Sequence, residues 1–132
     1  MNKTKDDALQ TRAQLLDSAY RIFLEKGYAS ASLAEIAQNA GLTRGAAYWH
    51  FKNKDDLYIC VITDALNRMM DKKNMYAVVS DLPDSERVLG MLSLPITLAD
   101  DYCLVNSVSL LLPHYGQFQE LYDLVLQRKQ NM

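Results

Sequence analysis

Residues 32–57 read SLAEIAQNAGLTRGAAYWHFKNKDDL, and three caps and one glycine inside that stretch set its shape. Ser32, with Glu35 three places on, makes a capping box: the serine oxygen takes an orphan N–H of the first turn and the acid reaches back. Leu33, Ile36, Ala37 and Ala40 then recur at three- and four-residue spacing, which predicts a short amphipathic helix. Gly41 ends it after about two turns. Thr43 carries the hydroxyl an N-cap requires and opens a third short helix to near Trp49. Asn53, with Asp56 at the third position and acids near the positive end of the dipole, opens a long fourth helix.

Two short helices joined by a glycine turn, the second rich in Arg, Tyr, Trp and His, outline a helix-turn-helix over residues 32–51. Leu42 fills the angle between the two. On the second helix each residue advances by ~100°, so Arg44, Gly45, Tyr48 and Trp49 fall within one arc of ~140°. Ala47 lies across from them and faces inward, as does Phe51 at the end of the helix. One side is therefore apolar, and the other is aromatic and hydrogen-bonding. Gly45 lets the helix backbone come close to a partner. Arg44 has the fork that donates two parallel hydrogen bonds to a guanine edge, the commonest specific contact in the major groove. The hydroxyls of Ser32 and Thr43, the N-termini they cap, and Lys54 suit phosphate oxygens.

Outward from this stretch the chain continues to read as helix. A first helix over about 5–26 starts at Thr4, carries an apolar stripe of Leu9, Ala13, Leu16, Ala19, Ile22 and Phe23, and ends at Gly27 in a left-handed cap. The fourth helix, about 54–78, carries Leu57, Ile59, Val61, Ile62, Ala65, Leu66, Met69, Met70 and Tyr76. Asp81-Leu82-Pro83-Asp84 is the clearest break. A helix is expected over about 84–98, kinked or ended early by Gly90 and Pro95. Another, over about 102–112, is capped by Asp100 and Asp101 and stopped by Pro113, and a last runs over about 117–131. The expected class is all-α: a three-helix helix-turn-helix DNA-binding domain at 1–56, then an incomplete helical ligand-binding and dimerisation domain at 57–132.

Composition bounds the function classes. The 132 residues are 49% hydrophobic, enough for a core, and no stretch approaches the ~20 apolar residues of a membrane span. The polar start carries no apolar signal region, so the expected location is cytoplasmic, at the nucleoid, with no membrane partner. The formal charge is −2, but residues 1–56 balance at +1 and the rest at −3, and a local cationic face matters more than the total. Cys60 and Cys103 read as reduced thiols inside helices. With two histidines and no paired-cysteine motif, no metal site and no cofactor are expected. No phosphate loop, HExxH or nucleophile elbow speaks for an enzyme.

The run from Ser32 to Ala37, then Gly41 to Leu57, closely resembles the TetR/AcrR family of repressors, most of all the AcrR-like regulators of multidrug efflux. Thr11-Arg12 and Ala19-Tyr20-Arg21-Ile22-Phe23 with Gly27 fit the first helix of that family. The resemblance is dense over about residues 5–60 and thins beyond. It implies a bacterial transcriptional repressor that binds a palindromic double-stranded operator as a homodimer and is released by a small apolar or cationic ligand. It implies that Arg44, Gly45 and Tyr48 face bases or backbone, and that Ser32, Thr43, Trp49, His50 and Lys54 lie near phosphates.

Some readings stay open. His50 could cap carbonyls, and Lys54 could be a solvated lysine. Leu66, Met69 and Met70 read either as core or as an adaptable ligand pocket, since thioethers repack easily. Family members are longer, with their last two helices forming the dimer interface, so the resemblance makes this chain a truncated member expected to dimerise weakly. The alternative function is a cut-down helical module that senses ligand or pairs with a longer relative without repressing by itself.

Overall fold

The computed structural model describes residues 2–80 and 95–130. Its helices are α1 (Asn2–Ser30), α2 (Leu33–Asn39), α3 (Arg44–His50), α4 (Lys54–Ser80), α5 (Pro95–Leu111) and α6 (Gln119–Gln130), with a short 3₁₀ turn at Gly116–Phe118. No strand occurs among the described residues. The chain divides into two compact units, Met1–Val61 and Ile62–Met132.

In the first unit, α1 is regular only as far as Gly27, where φ is 81° and ψ is 168°. The sequence predicts a left-handed cap there. The observed extended ψ is a conformation essentially reserved for glycine, and one further turn follows it to Ser30. The predicted stripe of α1 also shifts. Leu9 is 58% exposed, whereas Leu15 is fully buried beside Ala19, Ile22 and Phe23; Ala13 is exposed and Leu16 half-buried. The cause is Ser18, a polar residue on the buried face. Its hydroxyl donates to the Ile36 carbonyl at 2.7 Å and accepts from Asn39 Nδ2 at 3.0 Å. A buried polar group held this way meets its hydrogen-bonding need and ties α1 to α2.

The caps form as the local sequence dictates. Ser32 Oγ accepts from the Glu35 N–H at 3.1 Å, and Thr43 Oγ1 from the Ala46 N–H at 3.1 Å. Asn53 Oδ1 accepts from the Asp56 N–H at 2.8 Å. The Glu35 carboxylate, expected to reach back to the Ser32 N–H, pairs with Lys26 instead, so only the serine half of the predicted capping box forms. At the turn, Gly41 has φ 74°. Its N–H bonds the Gln38 carbonyl at 3.0 Å, while the Leu42 N–H bonds that of Ala37 at 2.9 Å. This pair of crossed bonds is a Schellman motif, and it needs the positive φ that glycine supplies without strain. Leu42 is half-buried in the angle. Behind the turn, Tyr58 of α4 sits edge-on to both Phe23 and Tyr28, with ring centroids 5.1 Å apart in each pair.

Among the described residues of the second unit the buried apolar ones are Ile62, Ala65, Leu66 and Met69 of α4, Leu104, Val105 and Val108 of α5, and Phe118, Leu121 and Val125. Asp100 and Asp101 are interior residues of α5 and do not cap a helix. Pro95 is the first residue of α5. Its fixed φ suits that position and its missing N–H would be an orphan there anyway. Asp101 is fully buried and takes a bidentate pair from Arg68, Nε to Oδ2 at 3.1 Å and Nη2 to Oδ1 at 3.0 Å. Two such charge-assisted bonds offset the cost of burying a carboxylate. The part of the expected 84–98 helix before residue 95, and the side chain of Tyr76, lie outside the described residues.

Candidate nucleic-acid interface

The Thr43 cap fixes where α3 begins, and seven residues, Arg44–His50, then fit between it and Phe51. Ala47 and Phe51 are buried, at 0% and 1% exposure, while Tyr48 and Trp49 are 46% and 75% exposed. Arg44 and Gly45 are exposed as well. A tryptophan open to solvent over three quarters of its surface leaves a large apolar area wet. Arg44 Nη2 donates to Tyr48 Oη at 3.5 Å, and its guanidinium lies 5.5 Å from the Tyr48 ring centroid. That hydrogen bond first, and the electrostatic influence of Tyr48 second, raise the Arg44 pKa above its ordinary value; an arginine is cationic in any case. A Cβ built on Gly45 would meet only Thr43 Oγ1, at 3.9 Å. Nothing inside the chain therefore requires glycine at this outward-facing position.

Ser32 and Thr43 are exposed at the N-termini of α2 and α3, with their oxygens already engaged by the caps. His50 is half-buried, its ring edge-on to Trp49 at 4.7 Å between centroids. Burial, and secondarily the positive charge of Arg12, lower its pKa below the usual histidine value. Lys54 is more deeply engaged than either sequence reading allows. Its ammonium donates to the carbonyls of Tyr28 at 2.9 Å and Ala31 at 3.1 Å, over the Tyr28 ring at 4.0 Å. Burial lowers its pKa, against the raising charge of Asp55.

Arg12 and Tyr28 are engaged in ways that sequence reasoning does not reveal. Tyr28 is buried and its hydroxyl bonds the Asp55 carboxylate. Arg12 stacks over the Phe51 ring at 5.1 Å and reaches Cys60 Sγ at 3.8 Å. A tyrosine beside Gly27 and an arginine between Thr11 and Ala13 carry no local signal of such contacts.

Of the residues expected to line a ligand pocket, Leu66 and Met69 are buried and Met70 is half-buried, all in the second unit. Among the described residues no cluster of His, Cys, Asp and Glu is arranged to hold a metal, and no helix is long and apolar enough to cross a membrane.

Residues 15–60 match the family described as bacterial regulatory proteins, tetR family. The HTH-type transcriptional regulator AcrR of Shigella flexneri is 57% identical over 56 residues, which are 42% of this chain and 26% of that protein. The chain thus matches about a quarter of the length of that curated relative. Among solved structures, a transcriptional regulator of the AcrR family from Aquifex aeolicus superposes with a TM-score of 0.59 at 22% identity, covering 92% of this chain and 66% of the other. SmeT, the repressor of the Stenotrophomonas maltophilia multidrug efflux pump SmeDEF, superposes with a TM-score of 0.51 at 27% identity, covering 91% of this chain and 63% of its own.

Proposed function

We propose that this chain, whose residues 15–60 match the tetR family of bacterial regulatory proteins, is a sequence-specific DNA-binding transcriptional repressor. The observation that carries the reading is the two-sided α3: Ala47 and Phe51 buried, with Arg44, Gly45, Tyr48 and Trp49 turned outward. A helix of this kind fits the major groove with Arg44 at the base edges and Gly45 allowing close approach of the backbone. Ser32, Thr43, Trp49, His50 and Lys54 flank it and serve the phosphates, which position the protein without reading sequence. The proposed division of labour is a DNA-reading domain at 1–56 and a regulatory domain at 57–132.

The partner is a palindromic duplex read by two copies of the chain. One seven-residue helix spans few base pairs, and two copies spaced by about 34–36 Å meet successive major grooves on one face. The regulated genes follow the relatives, since SmeT represses a multidrug efflux pump, and the proposed signal that releases this chain from its operator is a small apolar or cationic compound. Leu66 and Met69, buried on the part of α4 that belongs to the second unit, with Met70 beside them, would repack around it. The relatives are transcriptional regulators rather than enzymes, and the place of action is the cytoplasm, on the nucleoid.

The test is selection. The protein is incubated with a random-sequence duplex library at low salt, and retained duplexes are amplified and sequenced. Enrichment of a palindrome supports the reading; retention without enrichment, or no retention, overturns it. Light scattering of the complex with the enriched duplex should give the mass of two chains per duplex.

A further inference from the structure

We propose that Arg12, on α1, is a further anchor of the DNA interface, a phosphodiester contact held at the meeting point of α1, the end of α3 and the start of α4. The inference rests on the reading of the chain as a DNA-binding protein and adds a residue from outside the helix-turn-helix to its contact surface.

Three observations carry it. Arg12 is half-buried, and its guanidinium lies over the ring of Phe51, the C-cap of α3, at 5.1 Å. Its Nη2 donates to Cys60 Sγ of α4 at 3.8 Å. Sulfur is a weak acceptor, so this interaction steers the group more than it satisfies it. Among the described residues no carboxylate pairs with Arg12; the ion pairs join Asp17 to Arg21, Glu35 to Lys26 and Asp101 to Arg68.

With only a weak sulfur acceptor in contact, this cation keeps N–H donors for an anion, and a guanidinium offers five of them in a fork matched to phosphate. The surroundings tell which anion. Arg12 faces the end of α3, where His50 feels its positive charge and Trp49 is 75% exposed. A phosphate of the strand flanking the groove occupied by α3 would meet the guanidinium there. The Phe51 stack and the sulfur hold the fork in place before binding, which reduces the side-chain ordering cost of meeting the phosphate.

The experiment compares wild type, Arg12→Met, Arg12→Lys and Arg44→Ala on two duplexes of about 30 base pairs, long enough for two half-sites. One duplex is enriched from a random library by the wild-type protein, and the other is its scrambled counterpart. Methionine keeps an unbranched stem over Phe51 but removes the charge. Arg12→Met should weaken both duplexes by a similar factor, on the order of tenfold. The slope of log affinity against log salt should fall by about 0.9 per copy bound. Arg12→Lys should restore the slope. A wild-type slope in Arg12→Met overturns the proposal.

The same point is tested without a variant. Phenylglyoxal labels arginines of the wild-type chain, read by mass spectrometry with and without the enriched duplex. DNA should protect Arg12 together with Arg44, while Arg21, paired with Asp17, labels equally in both states. Protection of Arg44 with unchanged labelling of Arg12 overturns the proposal and leaves the DNA reading standing. Failure of the wild type to retain any duplex overturns the DNA reading itself.

Discussion

Lys54 holds Tyr28 from two directions, donating to its carbonyl at 2.9 Å and sitting 4.0 Å from the centre of its ring. The side chain that the sequence offers for a phosphate is therefore also a strap across the end of α1. An ammonium has three donors. Two go to the carbonyls of Tyr28 and Ala31, which leaves one for a phosphate oxygen.

Lys54→Ala should accordingly have two separable effects. Urea unfolding should show a loss of about 1–2 kcal/mol, from charge-assisted hydrogen bonds at a half-exposed site. The salt slope of DNA binding should fall by about one unit for each phosphate that Lys54 neutralises, hence by about two for a pair of copies. Reduced stability with an unchanged slope would confine Lys54 to its role as a strap.

Arg44 stands at the start of the exposed arc, one turn from Tyr48, whose hydroxyl accepts from its guanidinium at 3.5 Å. Arg44→Ala should cost ~1–3 kcal/mol on the enriched duplex and flatten the ranking among its single-base variants. Competition titrations with a panel of variants decide this. A uniform weakening that keeps the ranking would mean that Arg44 meets backbone and not base.

The two positive-φ glycines should respond differently. Gly27→Ala and Gly41→Ala both meet open space, with nothing within 4 Å of the added carbon, so any cost is backbone strain alone. Gly41 is the C′ residue of a Schellman motif, where alanine costs about 1 kcal/mol. At Gly27 the φ of 81° combines with a ψ of 168°, a region other residues rarely enter, and alanine should cost about 2–3 kcal/mol. Denaturant midpoints at constant m-value give the order. Equal destabilisation would contradict it.

His50 sets a pH dependence. In the free protein, burial and the Arg12 charge hold its pKa below the ordinary histidine value, and a phosphate beside it raises that pKa. Between the free and bound values binding takes up a proton, so DNA affinity should rise as pH falls, by at most about one log unit per pH unit and per histidine. Folding moves the other way: a lowered histidine pKa leaves stability intact above the unfolded value of about 6.5 and costs stability as pH falls through the interval below it. Affinity measured between about pH 5.5 and 7.5 should show the rise in wild type but not in His50→Gln. An identical profile in the two proteins would remove His50 from the phosphates.

The parts of this molecule that are legible in the chain alone are those decided by near neighbours. Ser32, Gly41, Thr43 and Asn53 act on groups three or four residues away, so their caps and turn can be read directly. The exposed arc of α3 follows from helical spacing, with Ala47 buried across from it and Phe51 buried at the C-cap. What fails depends on distant partners. Ser18 is a core residue because the Ile36 carbonyl and Asn39 are there to meet it, which disguises the true stripe of α1. Asp101 resembles a cap because its partner Arg68 is 33 residues away, and Pro95 resembles a break because a proline at the first position of a helix and one inside it read alike. Lys54 and Arg12 show ordinary spacing, and only the fold brings the Tyr28 carbonyl and the Phe51 ring to them.

The most direct test of the central claim is the ratio of affinities for the enriched duplex and its scrambled counterpart, measured by fluorescence anisotropy at about 0.15 M salt, where non-specific binding is weak. If α3 reads bases, the ratio should reach on the order of 10³ or more in wild type, with Arg44→Ala moving it towards one. A wild-type ratio near one, with both duplexes bound equally and with the same salt slope, would contradict the account.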